Sequence, residues 1–290
     1  MQTPSVSLTF EIGNLEEHVK QVLDDNPFLH LESLPEIDGL IGGIRRGLVT
    51  VIGAQPGCGK TTLIGQIADD IAAQGHPVIF ISAELPSFRI AEKSILRLAG
   101  STLPDDKNEK GWSEAFHAAA RSYGARIAPN TCIVDNLVSM AQLTQLVSDC
   151  QHARNKTPVV FVDYLQLIAT SEMNACGDER IAIASCVREL SNIAKTYESP
   201  VFAVSTISRQ SYGKRDVGLD VFGGSQNIEY GIDNALYLTI EGANRSDVQA
   251  NSEKTVRPVV VRALKVRYGT ISTAYLDFDA AHAAFRTHAS

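Results

Sequence analysis

The chain has no apolar run long enough to cross a bilayer. Among its 290 residues the longest such stretches, Val159–Val162 for one, fall far short of the roughly 20 residues a spanning helix needs. It also lacks a basic-then-apolar leader: Glu11, Glu16 and Glu17 stand where one would be. That argues against secretion and points to a soluble, cytoplasmic protein. Its five cysteines (Cys58, Cys132, Cys150, Cys176, Cys186) show no CxxC and no Cys/His metal spacing, so thiols are expected to be reduced and no zinc site is expected. A surplus of basic charge is missing too: 26 Lys and Arg face 33 Asp and Glu, for a net charge of −7. This excludes a surface that coats nucleic acid everywhere. It leaves room for a local positive channel, because charges more than about 8 Å apart are screened at physiological salt. Internal repeats and low-complexity segments are absent as well. What is present is a 44% hydrophobic composition, enough for a sizeable core.

The first 33 residues read as an arm. Asn14 and Glu17 resemble a capping box, Leu15, Val19, Val22 and Leu23 recur at helical spacing, and Asp24-Asp25-Asn26-Pro27 stops the helix. One short amphipathic helix is not a domain, so its stripe must pack on the main body or on a neighbouring subunit. Residues 34–290 form the main domain. There, short β-rich runs (Leu48–Gly53, Pro77–Ser82, Cys132–Asp135, Pro158–Asp163, Pro200–Ser205) alternate with helical segments (Thr61–Gln74, one ending near Ala99, Ala141–Arg154, Arg180–Tyr197). The last third holds the strands Ala235–Ile240, Val256–Lys265 and Ser272–Phe278 with few helices between them. The pattern predicts an α/β fold: a mostly parallel sheet flanked by helices, with antiparallel strands added at the C-terminal end.

The strongest chemical signal is Gly53-Ala54-Gln55-Pro56-Gly57-Cys58-Gly59-Lys60-Thr61-Thr62, directly after a strand and opening a helix. Small residues let backbone N–H groups curl around phosphate oxygens, and the helix N-terminus adds favourable partial charge. Lys60 is expected to reach the β- and γ-phosphates of ATP, and the Thr61 hydroxyl to bind Mg²⁺. The literal pattern wants glycine at position 54, where this chain has Ala54. Val159-Val160-Phe161-Val162-Asp163 supplies a second element, a buried strand that delivers a carboxylate to the sheet edge beside that loop, where it can hold Mg²⁺. Glu84, just past another strand, reads either as a solvated loop residue or as a base within reach of an attacking water.

Phe80-Ile81-Ser82-Ala83-Glu84-Leu85, Val162-Asp163-Tyr164-Leu165-Gln166-Leu167-Ile168, Ser205-Thr206-Ile207-Ser208-Arg209, Gly224–Asp233 and Lys265-Val266-Arg267-Tyr268-Gly269 follow the phosphate loop in that order. Together they resemble the motor domain of DnaB-type replicative helicases, with S-L-E-M, D-Y-L-Q-L-M, S-Q-L-S-R, G-S-x-x-I-E-x-x-A-D and K-x-R-x-G as the family's counterparts. The resemblance covers about Leu34 to Phe285 and implies a RecA-like P-loop NTPase that hydrolyses ATP with Mg²⁺. It implies that Glu84 is the catalytic base. Lys265 and Arg267, two residues apart on a strand and so on one face, read from pattern alone as an exposed basic edge. The resemblance makes them instead a finger that reaches the γ-phosphate held by the next subunit, an arrangement worth about 10³–10⁵ in rate among phosphoryl-transfer enzymes. A head-to-tail contact of that kind closes into a ring or runs on as a filament. The resemblance implies a ring-forming homo-oligomer, a hexamer, while the residues alone fit a heptamer or an open filament as well.

The resemblance further implies single-stranded DNA as the track, gripped by segments near 169–180 and 208–225. The second carries Arg209, Lys214 and Arg215, a phosphate-tracking patch, beside Asp216 and Asp220, which fit an ordinary polar loop equally well. Three departures stand out: Thr206 replaces the family's Gln, Asp220-Val221-Phe222-Gly223-Gly224-Ser225 lacks the Arg of D-L-R-E-S-G, and Ile271-Ser272-Thr273 lacks the Gly after the finger motif. Only the helical arm precedes the motor motifs, where full-length members carry a collar domain that binds primase; a replication loader or primase is the further partner implied. The expected function is therefore a ring-forming, ATP-dependent helicase motor acting in DNA replication. The alternative is a RecA-type ATPase switch, a loading or recombination factor that binds DNA or protein without unwinding.

Overall fold

The computed structural model describes residues 26–104, 106–136, 138–166, 179–207, 217–222 and 231–288. The expected arm helix at 14–25 and the segment with Arg209, Lys214 and Arg215 lie outside the described residues. Nine strands form one sheet in the order β3-β2-β4-β5-β1-β6-β7-β8-β9. The strands are β1 (Val49–Ala54), β2 (Val78–Ser82), β3 (Thr131–Val134), β4 (Val159–Asp163), β5 (Val201–Thr206), β6 (Asn234–Ile240), β7 (Val256–Lys265), β8 (Thr273–Asp279) and β9 (Ala284–Thr287). The first six in chain order pair in parallel, and β7, β8 and β9 continue the sheet antiparallel. The expected architecture is borne out, and β9 extends it.

The helices are α1 (Pro35–Ile41), α2 (Lys60–Ala73), α3 (Ser87–Ala99), α4 (Trp112–Arg126), α5 (Met140–Arg154), α6 (Glu179–Tyr197) and α7 (Arg245–Ser252). Strand alternation sorts the core into two faces. Ile52, Phe80, Phe161 and Phe202 pack with α1, α2 and β9, whereas Val51, Ile79, Val160 and Ala203 pack with α5 and α6. The central strands are buried on both faces, which is why β4 reads as the unbroken run Val-Val-Phe-Val. Phe80, Phe161 and Phe202 lie in register on neighbouring strands and stack at 5.9 and 5.2 Å between ring centroids. The phosphate-loop helix α2 sits on this face and buries Leu63, Ile64, Ile67 and Ile71 completely. Each contributes about 1.5–3 kcal/mol of apolar burial. Leu29 and Leu31, ahead of α1, already belong to the same core cluster.

Helix α4 has no counterpart in the sequence reading. It pairs with α3 through a small cluster of its own, where Trp112 stacks on Phe116 and Ala119 is the one buried residue of the helix. No described helix is long and apolar enough to cross a membrane.

Candidate functional site

Three strand ends line the carboxyl edge of the parallel sheet: that of β1, which separates β5 from β6, and those of β4 and β2 beyond β5. Clefts at such switch points are the usual ligand sites of open α/β sheets. β1 ends in Ala54 and releases the loop 55–59; β4 ends in Asp163; β2 ends two residues before Glu84.

The loop is shaped by glycines that nothing larger replaces. Gly57 and Gly59 have φ of +83° and +87°, the left-handed region that favours glycine. A Cβ on Gly59 would stand 2.9 Å from the rings of Phe278 and Phe285, and one on Gly53 2.6 Å from Phe222. Ala54, by contrast, is the last residue of β1, paired with Thr206 and Leu238 and fully buried, so the departure from glycine there needs no unusual backbone. Side chains outside the motif brace the loop. Arg257 donates to the Gly57 carbonyl at 3.1 Å, and Gln55 donates to the Tyr237 hydroxyl at 3.2 Å. Cys58 is fully buried, and burial pushes its thiol up to about 11.

Helix α2 begins at Lys60 with no acidic residue in its first turn, so its N-terminal N–H groups face the cleft without a competing carboxylate of their own. The Lys60 ammonium lies 5.8 Å from the centre of the Tyr164 ring. Thr61 donates its hydroxyl to Asp163 Oδ2 at 2.6 Å. Asp163 is completely buried, and its other oxygen, Oδ1, is buried with no hydrogen-bond partner. Burial pushes the Asp163 carboxyl above its usual range; the Glu84 charge adds to this, while Thr61, Lys60 and Lys93 oppose it. A buried anionic oxygen without a partner is costly. A carboxylate beside a threonine hydroxyl is also the hard oxygen donor set that Mg²⁺ takes, so these residues fit the ion. Glu84 is exposed, and its charge also pushes up the Tyr164 hydroxyl, after burial and ahead of Asp163.

Two further side chains reach this edge. Lys93, from α3, approaches Thr62 Oγ1 at 3.5 Å; burial lowers its ammonium, Arg97 adds to that, and Glu92 and Asp163 pull it back up. Gln166 latches β4 to β5, accepting from the Thr206 N–H at 3.2 Å and donating to Ser205 Oγ at 2.9 Å. Lys93 carries no local sequence signal, and Gln166, within the Asp163 motif, gives none for its reach to Thr206.

Lys265 and Arg267 lie elsewhere. β7 ends at Lys265, and Arg267 follows two residues later in the turn, not on the strand as the pattern had it. In that turn Gly269 lies against the Leu40 carbonyl, where a side chain would have no space. Lys265 donates to the Ile232 carbonyl at 2.7 Å, and Arg267 pairs with Asp233 Oδ1 at 2.5 Å. Asp233 Oδ2 accepts from the Val49 N–H at 2.9 Å. This is the amino end of β1, since Asn234 pairs with Thr50 and Leu238 with Ala54. At about 3.3 Å per residue the two ends of β1 are roughly 15 Å apart. One chain thus brings together Lys60, Thr61, Asp163, Glu84 and Lys93, and holds Lys265 and Arg267 at the opposite edge.

The sequence profile of the DnaB-like helicase C terminal domain matches residues 32–287. The chain belongs to that family. The replicative DNA helicase DnaB of Treponema pallidum (strain Nichols) is 26% identical to this DnaB-like domain over 261 residues, which are 87% of this chain and 54% of that protein. A probable plasmid replicative DNA helicase of Chlamydia trachomatis is 27% identical over 245 residues, 81% of this chain and 50% of that one. The domain thus spans about half the length of these relatives. A solved DnaB-like replicative helicase, studied with its interactions with primase, superposes with a TM-score of 0.79 at 20% identity, over 96% of this chain and 69% of that one. A solved ATPase domain gives 0.81 at 20% identity, over 97% and 100%. The resemblance and the RecA-like fold expected from the motifs are borne out.

Proposed function

We propose that this DnaB-like domain is an ATP-hydrolysing motor that moves on single-stranded DNA during replication, with each nucleotide site completed by a second copy. The observation that supports this most is the separation of the two half-sites. The phosphate loop and the Lys265/Arg267 pair stand at opposite ends of β1, so they can serve one triphosphate only if two copies meet head to tail. Repeated, that contact can close into a ring, and a hexamer is the assembly proposed.

In this reading the backbone of residues 53–62 wraps the phosphates of ATP, and Lys60 carries the charge of the β- and γ-phosphoryl oxygens. Thr61 and Asp163 hold Mg²⁺, which when bound neutralises charge that builds on the transferring phosphoryl group. Glu84, exposed beside Asp163, accepts the proton of the attacking water. Lys265 and Arg267 of the next copy stabilise the transition-state charge. Arg209, Lys214 and Arg215 track the DNA phosphates. Residues 1–33 serve as an arm onto the adjacent copy, and a replication loader or primase is the partner proposed. The comparisons do not favour the alternative of a switch or loading factor.

The test is ATP turnover per chain against protein concentration, with and without single-stranded DNA, read alongside particle mass. Turnover that rises with assembly, and several-fold further with DNA, is expected. A specific rate unchanged on dilution to monomers overturns the shared site.

A further inference from the structure

At the edge of the sheet away from the phosphate loop, a cavity of about 250 Å³ opens between the segments leading into β1 and β4, the turn after α2 and the end of α5. Phe28, Arg46, His76, Gln151, Lys156 and Thr157 line it. Its polar groups are dominated by donors. Arg46 donates once to Thr157 Oγ1 at 2.7 Å and lays its guanidinium 3.9 Å above the Phe28 ring. Lys156 gives one N–H to the Gly75 carbonyl at 2.8 Å. Thr157, only 7% exposed, receives Arg46 and also Gln151 at 3.5 Å, and no described group accepts its own hydroxyl hydrogen. His76 Nδ1 is buried with no hydrogen-bond partner. Among the described residues no carboxylate forms an ion pair with Arg46 or Lys156.

A simpler role for these cations is to offset the helix ends that point here, those of α2 and α5. Each helix C-terminus is worth about half a negative charge. Two full positive charges exceed that by about one, so the cavity stays electropositive in a chain whose net charge is −7.

We propose that this cavity binds a small phosphoryl anion, the size of inorganic phosphate or pyrophosphate, between Arg46, Lys156, Thr157 and His76. A phosphoryl group offers three or more acceptor oxygens to these donors, where a carboxylate offers two. The guanidinium fork suits it. The volume is below the roughly 300–1,000 Å³ of pockets that enclose drug-sized ligands, so a nucleoside would remain outside. Burial first, then Lys156 and Arg46, holds the His76 imidazole below its usual value. Those two cations are the charged groups facing it, while Phe28 and Gln151 from the remaining elements are uncharged. A bound anion would offset those two cations and so favour protonation of the His76 ring.

The test is calorimetric titration of inorganic pyrophosphate and phosphate into the full chain carrying Lys60→Ala, without Mg²⁺, so that the phosphate loop contributes little. One saturable site is expected, weakened at least fivefold by Lys156→Met and by Arg46→Met. ADP binding as tightly as pyrophosphate would identify the terminal phosphoryl of a nucleotide as the source; ADP binding much more weakly would identify the free anion. Lys156 is exposed, so its variant should keep the parent melting temperature and, in the otherwise unaltered chain, the parent ATP turnover. Absence of a saturable pyrophosphate site, or an affinity unmoved by Lys156→Met in a folded chain, overturns the proposal.

Discussion

The Thr61 hydroxyl donates to Asp163 Oδ2 at 2.6 Å and leaves Asp163 Oδ1 buried and unpartnered. Without a cation, this carboxylate is a liability to the fold. Asp163→Asn keeps an acceptor for Thr61 and removes the buried charge. The metal-free variant should therefore melt a few degrees higher, at about 2–4 °C per kcal/mol gained for a chain of this size. Its Mg²⁺-dependent turnover should fall by about 10²-fold or more. Melting curves and hydrolysis rates with and without Mg²⁺ check both halves.

Lys60→Ala should abolish turnover, because it removes the one motif cation at the phosphate loop. Lys93→Met is expected to act more mildly, lowering the rate by about tenfold, roughly 1.4 kcal/mol of barrier. Lys93 offsets the Asp163 charge from outside the loop, so ADP affinity should stay within about twofold. Wild-type turnover in Lys93→Met would reduce that lysine to a packing role.

Arg267→Ala should lower turnover by about 10³–10⁵-fold, the range of fingers supplied in trans, while nucleotide binding persists. Mixed with Glu84→Gln chains it should regain part of the rate, because some interfaces then join an intact finger to an intact Glu84. Lack of rescue would mean that the two residues serve the same chain, against the distance set by β1.

Cys58 gives a pH prediction. Its thiol ionises near 9.0 in the unfolded chain and at about 11 in the folded one. The folded form binds the extra proton, so stability from this group falls as pH climbs from 9 to 11, by up to about 1.4 kcal/mol per unit. Below pH 8 the thiolate is scarce and the sulfur fully buried. An alkylating reagent should therefore modify exposed Cys132 well before Cys58, as peptide mass analysis of a time course can show.

The central strands were legible to within a residue or two because each is buried on both faces and so reads as an unbroken β-branched and aromatic run. The glycines around Lys60 were legible because the loop's backbone demands them. Helix α4 was not: Ala119 is its one buried residue, so no apolar stripe marks it. β9, four residues long, is too short to show alternation. Lys93, Arg257 and the Gln166–Thr206 contact were missed for a different reason, since tertiary packing alone carries them to the cleft. Arg267 reads as part of the strand because no local signal marks the end of β7 at Lys265, two residues before it.

β1 is anchored at both ends by chemistry. Its last residues release the phosphate loop, and its first N–H is held by the same Asp233 that holds Arg267. In the proposed ring the strand would be a stiff strut between consecutive nucleotide chambers. On the proposed shared site, a pull on the arginine in one chamber would load the cradle of the next through this strand alone.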